Sequence, residues 1–341
     1  MLFQNVCIEE FTYVLPESKV SSSEIEHYLS PLYKKLKLIP GTLEALTGVK
    51  NRHLWPVDLN PSFFAGSAGE RLLKDSNFPP HEIDLLIYAG VCRDYIEPAT
   101  AHIVHNKLKL KPSCLSFDLS NACVGFLNSM RVAAQMIEAE QIRSALILSG
   151  ENAAPLLQRT INFLLKEATE ENFRNALASL TLGSGAVAML LTHKKISKKQ
   201  HKLLNAVSEI ASEYHHLCFG EGDYRSPLMK TDSLQLLEKG VELSERAWGI
   251  FLKELSFSSE SFDHIFTHQV SLVHQEKIFK SFNLSSQRGR QDCVYFGNTG
   301  SIAAPLSLIL SEQENKLRKG DKIALLGIGS GLNTMMLGIQ W

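Results

Sequence analysis

Apolar residues along this chain fall into short unbroken runs separated by stretches of helical spacing. Leu85-Leu86-Ile87, Ala145-Leu146 and the β-rich Cys114-Leu115-Ser116-Phe117-Asp118-Leu119 read as strands. His264-Ile265-Phe266-Thr267-His268 and Ala324-Leu325 repeat the pattern later. Between them Leu127, Met130, Ala134 and Ile137 recur on one face at helical spacing, and Ile302-Ala303-Ala304-Pro305 reads as another helix start. Phe163-Leu164-Leu165 and Phe251-Leu252 have the character of helix-packing groups. Strands alternating with helices predict a layered α/β architecture.

The early and late runs stand at one offset. For Asp84 and Asp263, 263 − 84 = 179; for Cys114 and Cys293, 293 − 114 = 179; for Ala145 and Ala324, 324 − 145 = 179. Phe117 and Phe296 agree, and the common order makes divergent repeats the better reading. The expectation is two α/β halves, 1–195 and 196–341, each a mixed sheet with crossover helices about a pseudo-twofold axis. On this alignment Cys114 and Cys293 both open strands. Asn298 then maps onto Leu119, so that it faces Cys123 across the axis.

With 341 residues, 44% hydrophobic, 21% charged and a net charge of −1, the composition is that of a soluble globular protein. The balance argues against a general nucleic-acid or membrane-surface binder, and Lys34, Lys35 and Lys37 read as a solvated cluster. No apolar run is long enough to span a bilayer, and the start, Met1-Leu2-Phe3-Gln4-Asn5-Val6, lacks the pattern of a signal peptide. Six scattered cysteines without CxxC pairing fit reduced thiols of a cytoplasmic protein. His215-His216-Leu217-Cys218 has metal-capable types but no partner cluster, so it reads as an active-site or structural loop without metal. Gly327-Ile328-Gly329-Ser330-Gly331 resembles a phosphate loop, but a strand rather than a helix follows it.

Three positions carry the chemistry. Cys123, in Asn121-Ala122-Cys123-Val124-Gly125-Phe126, sits on a strand-to-helix turn, where first-turn N–H groups and the helix dipole favour the nucleophilic thiolate. His268 ends a strand, and Asn298 lies in Phe296-Gly297-Asn298-Thr299-Gly300. Singly, each has a bland reading: a buried thiol, a core histidine, a turn asparagine. Together, on separate strand ends, they compose one nucleophilic site.

Ser120-Asn121-Ala122-Cys123-Val124-Gly125-Phe126, Thr267-His268-Gln269 and Gly297-Asn298-Thr299-Gly300 resemble the three motifs of the thiolase superfamily, in its ketoacyl-ACP synthase III branch. The resemblance covers essentially the whole chain. Val91-Cys92-Arg93-Asp94-Tyr95-Ile96-Glu97-Pro98-Ala99-Thr100 and both chain ends are similar to the OleA thiolases. It implies the duplicated five-layer αβαβα fold, a homodimer, no cofactor beyond CoA thioester substrates, and head-to-head condensation of two long-chain acyl-CoA molecules to a β-keto acid. It further implies Cys123 as nucleophile and an oxyanion hole from the Cys123 N–H and Gly329-Ser330-Gly331. Glu97 becomes the base that removes an α-proton, supplied to the neighbouring subunit's site. A decarboxylative synthase using a malonyl thioester on acyl carrier protein, and a non-catalytic partner subunit, are the alternatives. Many synthase III members carry an arginine immediately before the Thr-Gly pair; here that position is Leu46, before Thr47-Gly48, which counts against a malonyl carrier.

Overall fold

The computed structural model describes residues 2–222 and 227–341; Met1 and residues 223–226 lie outside the described residues. Nine strands form one continuous sheet. They are β1 (Val6–Val14), β2 (Leu85–Tyr88), β3 (Leu115–Asp118), β4 (Ser144–Glu151), β5 (Gly185–His193), β6 (His201–Ile210), β7 (His264–Thr267), β8 (Lys322–Gly329) and β9 (Asn333–Gln340). Their order is β7-β8-β9-β6-β1-β5-β4-β2-β3. β2 pairs in parallel with β3 and β4, and β7 in parallel with β8, while β5 and β9 return antiparallel beside their neighbours. The two sets meet where β1 pairs with β6 through Cys7–Lys202 and Ile8–His201.

Strand periodicity explains the layers, because successive side chains leave opposite faces. Leu85, Ile87 and Ile147 join one apolar cluster, whereas Leu86, Leu146 and Leu148 join another with helices α1 (Pro61–Ser76) and α2 (Thr100–Lys107). The second set behaves alike: Ile323 and Leu325 face the first cluster, and Ala324 and Leu326 face α6 (Ser233–Leu255) and α7 (Leu272–Ser281). The first cluster is shared by both sets and filled by α3 (Gly125–Glu138) and α8 (Ala303–Gln313). The order is therefore helix, sheet, helix, sheet, helix. Helices α4 (Ala154–Lys166) and α5 (Glu170–Leu180) stand apart, packed through Leu157, Leu164 and Phe173 on Ile25, Leu29 and Leu32.

Three details of the duplication differ from the sequence alignment. Cys293 opens a short helix, Cys293–Phe296, and not a strand. Its N–H is taken by Gln269 Oε1 at 2.9 Å and Phe296 N–H returns to the Asp292 carbonyl, which closes a turn where β3 runs extended. The Ala145/Ala324 match is one residue out of register. Leu85 pairs with Ala145 and His264 with Ile323, so 264 − 85 = 179 but 323 − 145 = 178. A slip of one would have turned every side chain of the strand to the wrong face. Finally, Asn298 corresponds to Cys123, not to Leu119. α3 spans 125–138, and a 3-10 turn at Gly300–Ile302 followed by α8 spans 300–313, an offset of 300 − 125 = 175. Each helix ends two residues before the left-handed Glu140 (φ 56°) or Asn315 (φ 55°), and 315 − 140 = 175 again.

Candidate active site

One cavity of about 380 Å³ opens where the carboxyl ends of the strands converge, and Cys123, His268 and Asn298 all line it. Its wall is otherwise largely apolar, with Leu59, Pro155, Leu156, Leu182, Met229, Leu236 and Val270. A two-stranded ribbon, Cys218–Glu221 with Leu228–Thr231, closes one side. Cys218 belongs to this wall, whereas His215 and His216 are exposed. Among the described residues no group of histidine, cysteine and carboxylate side chains is placed to hold a metal ion. No helix among them is long and apolar enough to cross a membrane.

The turn at Cys123 is held from several sides. Ala122 has φ 46°, a left-handed conformation that costs a non-glycine residue about 1 kcal/mol or more. Val124 N–H bonds the Asn121 carbonyl at 3.1 Å and Gly125 N–H that of Ala122 at 3.2 Å. Asn121 Nδ2 donates to Asn128 Oδ1 at 2.8 Å and to Asn333 Oδ1 at 3.2 Å, and Asn333 Nδ2 donates to the Ser330 carbonyl at 2.9 Å. This chain of amides ties the cysteine turn to the β8–β9 hairpin, whose Gly329 approaches the Cys123 N–H. Gly331 turns that hairpin at φ 103°, and a strand follows, as the rejection of a phosphate loop required.

The thiol is not pre-ionised. Burial pushes Cys123 up to about 12, with Cys218 and Glu151 adding to the effect and a backbone hydrogen bond opposing it. Cys123 precedes the N-cap residue Val124, so the helix end contributes too little to offset desolvation. This reverses the expectation of a resting thiolate.

His268 extends the β7–β8 ladder by one residue through its N–H to the Leu326 carbonyl at 2.7 Å. It is buried, and neither ring nitrogen has a hydrogen-bond partner among the described residues. Desolvation lowers its pKa to about 3, helped by His274, while the Gly300 backbone works the other way. The imidazole is thus neutral, a proton acceptor at one nitrogen and a donor at the other. His274 also lines the cavity, placed by the Ser271 hydroxyl accepting its N–H at the start of α7, and desolvation lowers it to about 4.

Asn298 lies on a tight crossing. Its N–H bonds the Thr181 carbonyl at 2.8 Å, and its carbonyl accepts from Gly183 N–H at 2.8 Å. The approach needs glycine on both sides: a Cβ on Gly297 would stand 2.5 Å from the Thr181 carbonyl oxygen, and one on Gly183 would overlap that of Phe296. Asn298 Oδ1 accepts from Gly300 N–H at 3.0 Å, so the donor end of the amide is left for the cavity.

Glu97 is not brought to this cavity. It is exposed, in a loop where Ile96 is 91% exposed and Tyr95 42%. Glu151 escaped the sequence reading. Its buried carboxylate lines the cavity and accepts from the N–H groups of Val91 (2.9 Å) and Cys92 (3.2 Å) and from the Ser301 hydroxyl (2.6 Å).

The family model described as 3-oxoacyl-[acyl-carrier-protein] synthase III matches residues 117–210, and its C-terminal model matches residues 252–341. Acyl-CoA:acyl-CoA alkyltransferases of Shewanella oneidensis and Xanthomonas campestris are each 36% identical to this chain, with 100% of both chains covered. The structure of cerulenin-bound X. campestris OleA superposes with a TM-score of 0.96 at 36% identity, covering 100% of this chain and 98% of that one. A cysteine-to-serine variant of the same OleA with bound lauric acid and lauroyl-CoA gives 0.95 at 35% identity, covering 100% of each chain.

Proposed function

The chain belongs to the acyl-CoA:acyl-CoA alkyltransferase family of the thiolase superfamily, and we propose that its cavity joins two acyl-CoA thioesters through an acyl-Cys123 intermediate. The observation that carries this reading is the meeting of Cys123, His268 and Asn298 on one largely apolar cavity wall.

In the first half-reaction the Cys123 sulfur attacks the thioester carbonyl as its proton passes to the neutral His268 imidazole. Because thiol and imidazole are both neutral at rest, the proton moves during attack. The developing oxyanion receives the Cys123 N–H and an amide of Gly329-Ser330-Gly331; one such donor is worth about 3 kcal/mol in the transition state. CoA leaves as the thiol, taking the proton back from His268.

The second half-reaction requires a carbanion at the α-carbon of another acyl-CoA. The Glu97 carboxylate removes that proton, reaching from the neighbouring subunit of a homodimer. The exposed tip 95–98 supports this, as do the edge position of β3 in the sheet and Val91, 49% exposed at the root of the same loop. His268 and the Asn298 amide stabilise the enolate, which attacks the acyl-Cys123 carbonyl and expels Cys123 as a thiolate, whose charge is then neutralised by the proton that Glu97 took from the α-carbon. Hydrolysis of the resulting thioester releases a β-keto acid. The halves 1–195 and 196–341 then supply nucleophile and donors respectively, in a protein we place in the cytoplasm on its scattered cysteines.

The test is incubation of purified protein with myristoyl-CoA alone, with CoA release followed and products identified by mass spectrometry. A β-keto acid, or the ketone from its decarboxylation, is expected. Acylated Cys123 without condensation would instead call for a malonyl thioester, on free CoA or acyl carrier protein. Glu97→Gln is expected to lower condensation by about 10²- to 10⁴-fold while Cys123 still acylates.

A further inference from the structure

The loop that bears Glu97 is fixed at its root from three sides. Glu151 Oε1 accepts from Val91 N–H at 2.9 Å and Oε2 from Cys92 N–H at 3.2 Å. The Tyr88 hydroxyl bridges the carbonyls of Cys92 (2.5 Å) and Gly150 (2.9 Å). Buried Asp94 accepts from Ser62 N–H at 2.9 Å and from the Ser62 hydroxyl. Beyond this root, residues 95–98 are all exposed. The same Glu151 also accepts from the Ser301 hydroxyl at 2.6 Å and N–H at 3.3 Å, in the turn that follows Asn298. One carboxylate thus joins the wall of this protomer's cavity to the stalk of its Glu97.

We infer that Glu151 is a positioning residue for condensation, aligning the Glu97 loop against the Asn298–Ser301 turn. The inference rests on Glu97 being the base of the neighbouring site. A proton-abstracting carboxylate works only when held within a fraction of an ångström of its target, and an exposed tip has no packing of its own to hold it. The position needs two acceptor oxygens. Both carboxylate oxygens accept, so a carboxamide would turn its NH2 against one of the N–H groups and release one side of the clamp.

The test compares wild type, Glu97→Gln, Glu151→Gln and the double variant as full chains, by rapid quench with myristoyl-CoA. Two quantities are read: the initial burst of CoA from Cys123 acylation, and the steady rate of β-keto product. Glu151→Gln is expected to lower condensation about 10- to 100-fold, a loss well beyond any change in the burst. In the double variant condensation should fall no lower than in Glu97→Gln alone, because one residue acts through the other. Tyr88→Phe, which loosens the same root from the far side, should show the same selective loss at about 3- to 10-fold, and it decides the matter if Glu151→Gln does not fold. Equal loss of burst and condensation, or normal condensation by Glu151→Gln beside a dead Glu97→Gln, overturns the inference. Normal condensation by Glu97→Gln overturns the base assignment itself.

Discussion

The two halves place different chemistry on one backbone plan. Cys123 and Asn298 each stand two residues before an equivalent 14-residue helical segment, 125–138 and 300–313. His268 and Ala89 make the same ladder bond, to the carbonyls of Leu326 and Leu148, both at 2.7 Å. With the 178-residue offset of β4 and β8, Glu151 corresponds to Gly329 (329 − 151 = 178). The strand interiors kept their apolar faces, whereas each strand end took a different side chain. On the proposed roles, a site built this way has a nucleophile on one side and donors on the other, an asymmetry suited to two distinct half-reactions.

The largest expected effect comes from breaking that pairing at its centre. Cys123→Ala should remove CoA release from an acyl-CoA by at least about 10³-fold, since no acyl-enzyme can form. Asn298→Ala should lower condensation by about 10²- to 10³-fold and leave the acylation burst in place. Loss of the burst in both variants would mean that the equivalent positions share one step.

The second contrast is His268 against Ala89. A histidine held at about 3 when folded and near 6.5 when unfolded stabilises the fold fully above pH 6.5. Below that the unfolded chain takes a proton that the folded one refuses, so stability falls as pH drops from 6.5 toward 3. His274, at about 4, acts in the same direction. Melting temperature should therefore fall between pH 6.5 and 4, and His268→Gln should flatten the slope by up to about 1.4 kcal/mol per pH unit. Labelling of resting Cys123 by iodoacetamide should rise steadily toward pH 12, without a step near 7.

The smallest contrast sharpens the shared plan. Asp84 accepts from Arg143 N–H at 2.8 Å and Asp263 from Lys322 N–H at 2.9 Å, but Asp84 also meets Lys111 Nζ at 2.7 Å. Asp84→Ala should cost about 1–2 kcal/mol and Asp263→Ala about half that, read from urea midpoints.

Strand runs and the cysteine, histidine and asparagine motifs were legible because their signals are local. Register was not: Ala145-Leu146 and Ala324-Leu325 look alike, yet β8 sits one residue from that match in its ladder. The helix at Cys293 was hidden because Gln269, 24 residues away, caps it. Glu151 reads as a solvated strand end until donors from Val91, Cys92 and Ser301 are seen to surround it. Cys123 misled for the same reason, since its thiol answers to burial by distant segments more than to its own turn. Among the sequence-derived site residues, Gly331 turns the hairpin just behind the cavity wall formed by Gly329 and Ser330, and Glu97 stays outside the cavity of the single chain in an exposed loop.

Every residue of α8 from 303 to 311 is buried, and the helix lies between the two sheet sets. A helix without a solvent face has no local route to opening, so its amides exchange hydrogen only when the whole chain unfolds. The ribbon closing the cavity rests on exposed Phe219, Gly220 and Glu221 and can exchange on its own. Access for acyl chains and permanence of the platform beneath them are thereby assigned to different cooperative units. The entrance can breathe at a free-energy cost well below that of global unfolding, without disturbing the helix that carries Asn298 at its head.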